Sequence, residues 1–507
     1  MTDAPTDAPT DLDTGLAGLR VVPDAELEVR SGGRVLVGGS PMRVVRLSEA
    51  GAAVVGPLLA GAPVPPGPGP TALVRRLLDG GLVHPVPEGG RLRADDVTVV
   101  VPVHGALHPA MLDGLGRAGA GVDVDAASPR PVDVPGQTAD GVPVRVVHRS
   151  AQGGPAAARN TGLAEVETDL VAFVDADCRP RPGWLTGLLP LLADPEVAAV
   201  APRIVAADDR RDAGLLARYE AARSALDMGP RPARVRARTR VSFVPAAALV
   251  ARTAALRAVG GFDEAMLVGE DVDLVWRLDE HGRTVRYQPG ASVAHRHRTS
   301  PRSWLRRRYD YGTSAAGLAR RHPGALAPVE ASGWSLAALG LAAVGHPVAG
   351  AAVAASSVAS LSQTLDQLDD AQAVATRLAA RGHLAAARLA ADAVVRPYWP
   401  VALLVGLVVP SRRLRRALLA AALAGPVVEW VRERPRLDPF SWVALRLLDD
   451  AAYGTGVWAG ALAERTADPL RPELTRWPRP TRYSAWRAAQ LPPPPARGSG
   501  PGGGAAR

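Results

Sequence analysis

Asp175 and Asp177 close the apolar run Leu170–Val174, and their position gives them chemical meaning. So short an apolar run reads as a strand buried on both faces, as in a parallel sheet. Carboxylates at its carboxyl end emerge at the mouth of the sheet, where open α/β folds bind ligands. Two hard oxygen donors there suit a divalent ion bridging the phosphates of a nucleotide. The plainer alternative is an Asp-rich turn after a strand, and the aspartates alone leave both readings open. Other stretches carry groups of a matching kind: the strand ends at Pro102-Val103 and near Asp125, the loop Gly153–Gly162 with Arg159, the acids Glu270-Asp271, and the pair His295 and His297. Acids at Glu270, Asp271 and Asp273 are equally what a helix start favours through its dipole. The two histidines also fit one face of a half-exposed strand. In Ser303–Gly312, Trp304 and neighbouring tyrosines stand beside Arg306, Arg307 and Arg308. Guanidinium forks bind phosphate and aromatic rings stack on sugars, so contacts to a donor diphosphate or a sugar acceptor are one reading. A solvated amphipathic helix start is the other.

Composition narrows the classes. At 507 residues the chain is too long for one core, and 47% hydrophobic residues allow substantial burial. The net charge of +9 is carried by arginines spread along the chain. A membrane surface or a phosphate-bearing ligand accounts for it as well as nucleic acid does, and no nucleic-acid partner is expected. The single cysteine, Cys178, excludes an internal disulfide and a cysteine metal motif, and its place beside the aspartates is incidental. The polar, acidic N-terminus lacks a charged-then-apolar signal segment, which points to the cytoplasm.

The elements that must position these residues fall into five stretches. Residues 1–19 are low-complexity and expected to be disordered, as is the tail 491–507. Residues 20–95 offer two strands around Gly33–Leu47, a helix capped by Ser48, a Pro-rich linker at 63–70, a second helix capped by Thr71, and a closing strand at 82–86, which together read as a winged-helix-like unit. Strands and helices alternate over 96–323, the order of a doubly wound α/β sheet. Residues 324–490 are helical. Within them Ala331–Leu365 carries no charge, and two shorter apolar runs, Pro397–Ser411 and Ala417–Val428, flank an arginine cluster. Only the first is long enough for a bilayer-spanning helix of ~20 residues, and a buried or surface-lying helical hairpin is the alternative.

In this order and spacing the motifs over roughly Val97 to Arg321 resemble family-2 glycosyltransferases of the GT-A fold. The resemblance implies that Asp125 meets the nucleobase, with Pro102 and Arg159 on the nucleotide side of the pocket. It implies that Asp175 meets the ribose or metal, and that Asp177 and His295 hold a divalent cation, Mn2+ or Mg2+, on the diphosphate. Asp271 would be the general base and Glu270 would position the acceptor. His297, Trp304 and Arg307 remain candidate contacts to acceptor or diphosphate. Displacement by the acceptor hydroxyl would invert the anomeric centre. One departure concerns Ala126-Ala127, which stand where the family has Asp and Gly, so the base would be held more weakly or through backbone.

The N-terminal text and the segments Glu270–Leu278 and His295–Arg298 are similar to the glycosyltransferases of the mycofactocin system. That resemblance implies a peptide-derived redox cofactor as acceptor, β-linked glucose as the sugar, and by fold analogy a peptide-recognition role for residues 20–95. A membrane transferase for a lipid-linked or cell-wall acceptor is the alternative enzyme, and the protein itself is expected in the cytoplasm at the inner face of the cell membrane. A winged-helix binding protein fused to a degenerate transferase is the alternative of another class, and intact Asp175, Asp177 and Asp271 argue against it.

Overall fold

A computed structural model describes residues 16–104, 111, 122–126, 136–138, 141–207, 213–297, 300–365, 368 and 370–475. The N-terminal unit contains β1 (Val21–Pro23), β2 (Glu28–Arg30), β3 (Val35–Gly38), β4 (Arg43–Arg46), α1 (Glu49–Leu59), α2 (Pro68–Asp79) and β5 (Val83–Pro85). Ser48 caps α1 through its hydroxyl, as its residue type demands. Helix α2 starts earlier than expected, at Pro68 with Gly67 as its cap, because proline suits a first helical turn. The closing strand β5 pairs with β1 and not with the hairpin. Leu16, expected in the structureless leader, is fully buried in this unit's core beside Leu36, Val74 and Leu82.

The expectation of an α/β catalytic unit holds. In chain order it has β6 (Val97–Val103), β7 (Val122–Ala126), β8 (Val144–His148), α3 (Gly154–Ala164), β9 (Leu170–Val174), β10 (Cys178–Pro180), β11 (Val197–Ala206), α4 (Leu215–Ala222), β12 (Ala233–Val235), β13 (Ala248–Arg252), α5 (Thr253–Ala258), α6 (Glu270–Glu280), β14 (Thr284–His295) and α7 (Pro301–Arg321). The sheet runs β10-β14-β11-β13-β9-β6-β7-β8, with β12 added on β14. Strands β6 to β9 pair in parallel, and β13 enters antiparallel beside β9. Alternation along β9 explains its unbroken apolar text: Leu170, Ala172 and Val174 join one core, Val171 and Phe173 the other. Helix α3 lies so close to the sheet that a Cβ on Gly162 would stand 2.3 Å from Val100.

The C-terminal region adds β15 (Glu330–Ser332), α8 (Gly333–Ala343), α9 (Pro347–Thr364), α10 (Ala371–Val395), α11 (Trp399–Val408), α12 (Arg412–Glu433), α13 (Pro439–Ala463) and β16 (Glu473–Thr475). The charge-free run Ala331–Leu365 is therefore a helical hairpin, broken where Gly345 (φ +97°) ends one helix and Pro347 opens the next. Among the described residues no single helix is long and apolar enough to cross a membrane; α10 and α11, bent by 82°, pass together by length and composition. Helix α13 docks on α7 along glycines, since a Cβ on Gly456 would meet the Tyr309 carbonyl at 2.0 Å and one on Gly312 the Tyr453 carbonyl at 2.1 Å. The N-terminal sheet is covered as well. Val35 and Val37 pack against Leu361, Leu365, Val374 and Leu378 of the C-terminal helices, and Glu28 pairs with Arg377 at 2.6 Å.

Candidate active site

Strand pairing brings the first two groups together. Cys178 stands opposite His295 in the antiparallel pair β10–β14, and the Arg296 amide donates to the Asp177 carbonyl at 3.0 Å. This register sets the His295 Nε2 3.3 Å from Asp177 Oδ2. Burial raises the Asp177 carboxyl, but the hydrogen bond and charge of His295 outweigh it and hold the group below its ordinary value. An octahedral cation with bonds of about 2.1 Å places neighbouring ligands about 3 Å apart, so these two atoms suit adjacent positions on one hard cation. Among the described residues no group of three or more His, Cys, Asp or Glu side chains could hold a metal ion. Two protein ligands are nevertheless what Mg2+ or Mn2+ chemistry asks of a site in which substrate phosphates and water complete the shell. Cys178 is buried, which pushes its thiol up and keeps it inert.

Arg159, expected on the nucleotide side of the pocket, is engaged by two acids. Its guanidinium is buried on α3 and donates to Asp175 and to Glu270, each at 2.8 Å. It therefore ties the strand end to the start of α6 and does not offer a free fork to a nucleotide. Glu270 is engaged in the same way, its buried carboxylate accepting from Arg159. Burial, and then the neighbouring Asp271 charge, raise Glu270 to about 7 against the pull of Arg159.

Asp271 follows on the first turn of α6, which Gly269 introduces in the left-handed conformation (φ +85°) that favours glycine. Its Oδ1 accepts from the Val272 amide at 2.8 Å and its Oδ2 from the Ala246 amide at 3.3 Å. Burial raises its carboxyl above the ordinary aspartate value, opposed by Arg159 and the amides. Asp273, the third acid of the motif, is structural: it binds Arg277 at 2.7 Å and His322 at 3.0 Å. Asn160 is structural too, latching the loop before α6 through the Phe262 carbonyl at 2.8 Å.

His297 and Trp304, candidate contacts to acceptor or diphosphate, line the cavity of the aspartates and have protein partners of their own. Trp304 is buried on α7, packs edge-on to Tyr219 and donates its indole N–H to Glu220 at 2.7 Å. His297 sits behind His295, with their Nδ1 atoms 3.2 Å apart, and Glu220 lies 3.5 Å away. Burial, His295 and Arg308 push His297 down to about 4, so it is a neutral ring bracing its neighbour. Arg307 stays on the open side, its guanidinium 5.2 Å from the Tyr311 ring.

One cavity of about 1310 Å³ joins these groups. Pro102, Arg159, Asp175, Asp177, Glu270, Asp271, His295, His297, Trp304 and Arg307 line it, as do Arg396, Asp449 and Tyr453 of the C-terminal region. Asp125 is paired in register with Pro102 on β7, beside this mouth. Two exposed arginines absent from the sequence-based expectations, Arg179 and Arg296, line the cavity together with Arg307. Their signal is adjacency to Asp177 and His295, masked by an arginine-rich composition.

A mixed sheet with an Asp-x-Asp strand end and a second acidic helix start across one cavity is the frame of a nucleotide-sugar transferase. The profile described as Glycosyltransferase like family 2 matches residues 130–309. Two curated relatives, each called pre-mycofactocin glycosyltransferase and from Mycobacterium tuberculosis strains CDC 1551 and H37Rv, are 42% identical over 474 residues, 90% of this chain and 98% of theirs. Among solved structures, the mannosyltransferase PcManGT from Pyrobaculum calidifontis in complex with GDP-Man and Mn2+ aligns over 68% of this chain and 89% of its own, at 19% identity and a TM-score of 0.34. The chain belongs to the pre-mycofactocin glycosyltransferases, a group of the family-2 glycosyltransferases.

Proposed function

We propose that the protein moves a hexose, glucose in β linkage, from a nucleotide diphosphosugar to pre-mycofactocin, a peptide-derived redox cofactor precursor, with inversion. The observation that carries this reading is the meeting of Asp177, His295 and Asp271 in one cavity that residues of the C-terminal region also line. Asp177 and His295 would hold Mn2+ or Mg2+, which supplies charge to the departing diphosphate. Asp125 and Pro102 at the β6–β7 strand ends take the nucleoside, and Arg179, Arg296 and Arg307 balance the phosphates. The acceptor enters from the side of Arg396 and Tyr453. Its hydroxyl oxygen forms a bond to the anomeric carbon as the bond from that carbon to the phosphate oxygen breaks, the electron pair leaving with the nucleoside diphosphate. Asp271 takes the hydroxyl proton, which its raised pKa favours. Arg159 fixes Asp175 and Glu270 so that the strand end and α6 keep their spacing.

The metal assignment is tested by Mn2+ binding measured by spin resonance in the presence of a nucleoside diphosphate. Asp177→Ala is expected to lose bound Mn2+ and at least a hundredfold of transfer, with its melting curve kept. Full transfer by that variant in excess chelator would remove the metal from the account.

A further inference from the structure

The C-terminal helices present an exposed apolar tip collared by arginine. On α11 no residue is buried, and Leu403, Leu404, Leu407 and Val408 are 56, 61, 70 and 69% exposed. Helix α12 opens at once with Arg412, Arg413, Arg415 and Arg416, all exposed. Among the described residues none of the four lies within ion-pair distance of a carboxylate; Arg415 donates to the Gly406 carbonyl at 2.8 Å. The turn between α8 and α9 reaches the same place, since a Cβ on Gly345 would stand 2.9 Å from the Arg413 guanidinium. On either side of that turn Val344 and Val348 are 56 and 83% exposed. Two hairpins separated in sequence thus share one apolar tip, a feature that soluble monomers seldom leave open.

Charge identifies the occupant. Four cations at the start of a helix oppose its dipole, and among the described residues no acid pairs with them. A second copy of the chain related by two-fold symmetry would bring this collar against itself, which like charge disfavours. An anionic lipid surface meets both needs at once. The length of α11 fits docking rather than crossing: ten residues rise about 15 Å, half of a ~30 Å hydrocarbon core.

We infer that this tip docks the enzyme on an anionic bilayer surface, with the leucines and valines entering the headgroup–acyl boundary and the arginines binding lipid phosphates. The inference stands apart from the transferase reading, and its test needs no turnover. The full chain is mixed with sucrose-loaded vesicles of phosphatidylcholine, with or without phosphatidylglycerol, and sedimented. Binding is expected on the phosphatidylglycerol vesicles, falling as NaCl rises, and little on phosphatidylcholine alone. Leu404→Glu with Leu407→Glu is expected to abolish it, and glutamine at the four arginines to weaken it tenfold or more, both at unchanged Tm. The wild-type arm alone overturns the inference if no protein sediments with anionic vesicles. So does equal binding by the double glutamate variant, or light scattering that shows a dimer dissolved by that variant without lipid binding.

Discussion

At the level of single side chains, the chemistry rests on which carboxylates are already engaged. Asp175 and Glu270 share Arg159, Asp273 is held by His322 and Arg277, and Asp177 leans on His295. Asp271 alone of this group meets only backbone amides, and burial holds its proton above the ordinary aspartate range. A base must be ionised to act, so acceptor kcat/KM is expected to climb about tenfold per pH unit on the acid side, with an inflection above the usual aspartate value of about 3.9. An activity flat from pH 4 to 8 would assign the proton elsewhere. Asp175, Asp177 and Asp271 were legible in sequence because a buried strand and an acidic helix start leave few places for them. The spacing of Trp304 to Arg308, Gly312, Ala315 and Ala319 is that of one buried helical face, and that period separates it from Arg307.

Elements are held in place by buried ion pairs at their ends. His322, just after α7, lies between Asp273 and Glu280 of α6 at 3.0 and 2.7 Å. Burial lowers its pKa, but the two acids outweigh burial and raise it to about 9. A histidine raised above its unfolded value of about 6.5 stabilises fully below that value and loses the effect as pH rises through about 9, by at most about 3 kcal/mol. The Tm gap between wild type and His322→Gln is therefore expected to be widest near pH 6 and to shrink by pH 10. A gap that widens with pH would contradict the pairing. Most strands of the sheet were legible from apolar runs, whereas the β10–β14 register that unites Asp177 with His295 was not. Strands of three residues carry little pattern, and their partner lies more than a hundred positions away. The break at Gly345-His346-Pro347 was available in sequence, since glycine after a helix and proline opening the next is an ordinary helix boundary.

Across the whole molecule, three regions share packing rather than acting as beads. The sheet of the N-terminal unit is covered by α9 and α10, Arg75 pairs with Asp194, and Arg240 with Asp24. This contact map favours a bracing role over a dedicated peptide-recognition role for residues 20–95. Their deletion is expected to lower Tm and solubility and to reduce donor hydrolysis and acceptor transfer to the same extent. Loss of transfer with donor hydrolysis intact would restore recognition. Composition and order of elements gave the three-part division, but no local pattern could show that the first part leans on the last.

The division of labour between donor and acceptor chemistry is decided most directly by one variant. Purified wild type and Asp271→Asn are incubated with a nucleotide hexose and pre-mycofactocin, with donor affinity measured by calorimetry and the acceptor mass by spectrometry. Wild type should add hexose to the acceptor, and Asp271→Asn should bind the donor within about threefold of wild type while transfer falls by a hundredfold or more. Undiminished hexose addition by Asp271→Asn, or collapse of its donor binding, would contradict the assignment of this carboxylate as the base.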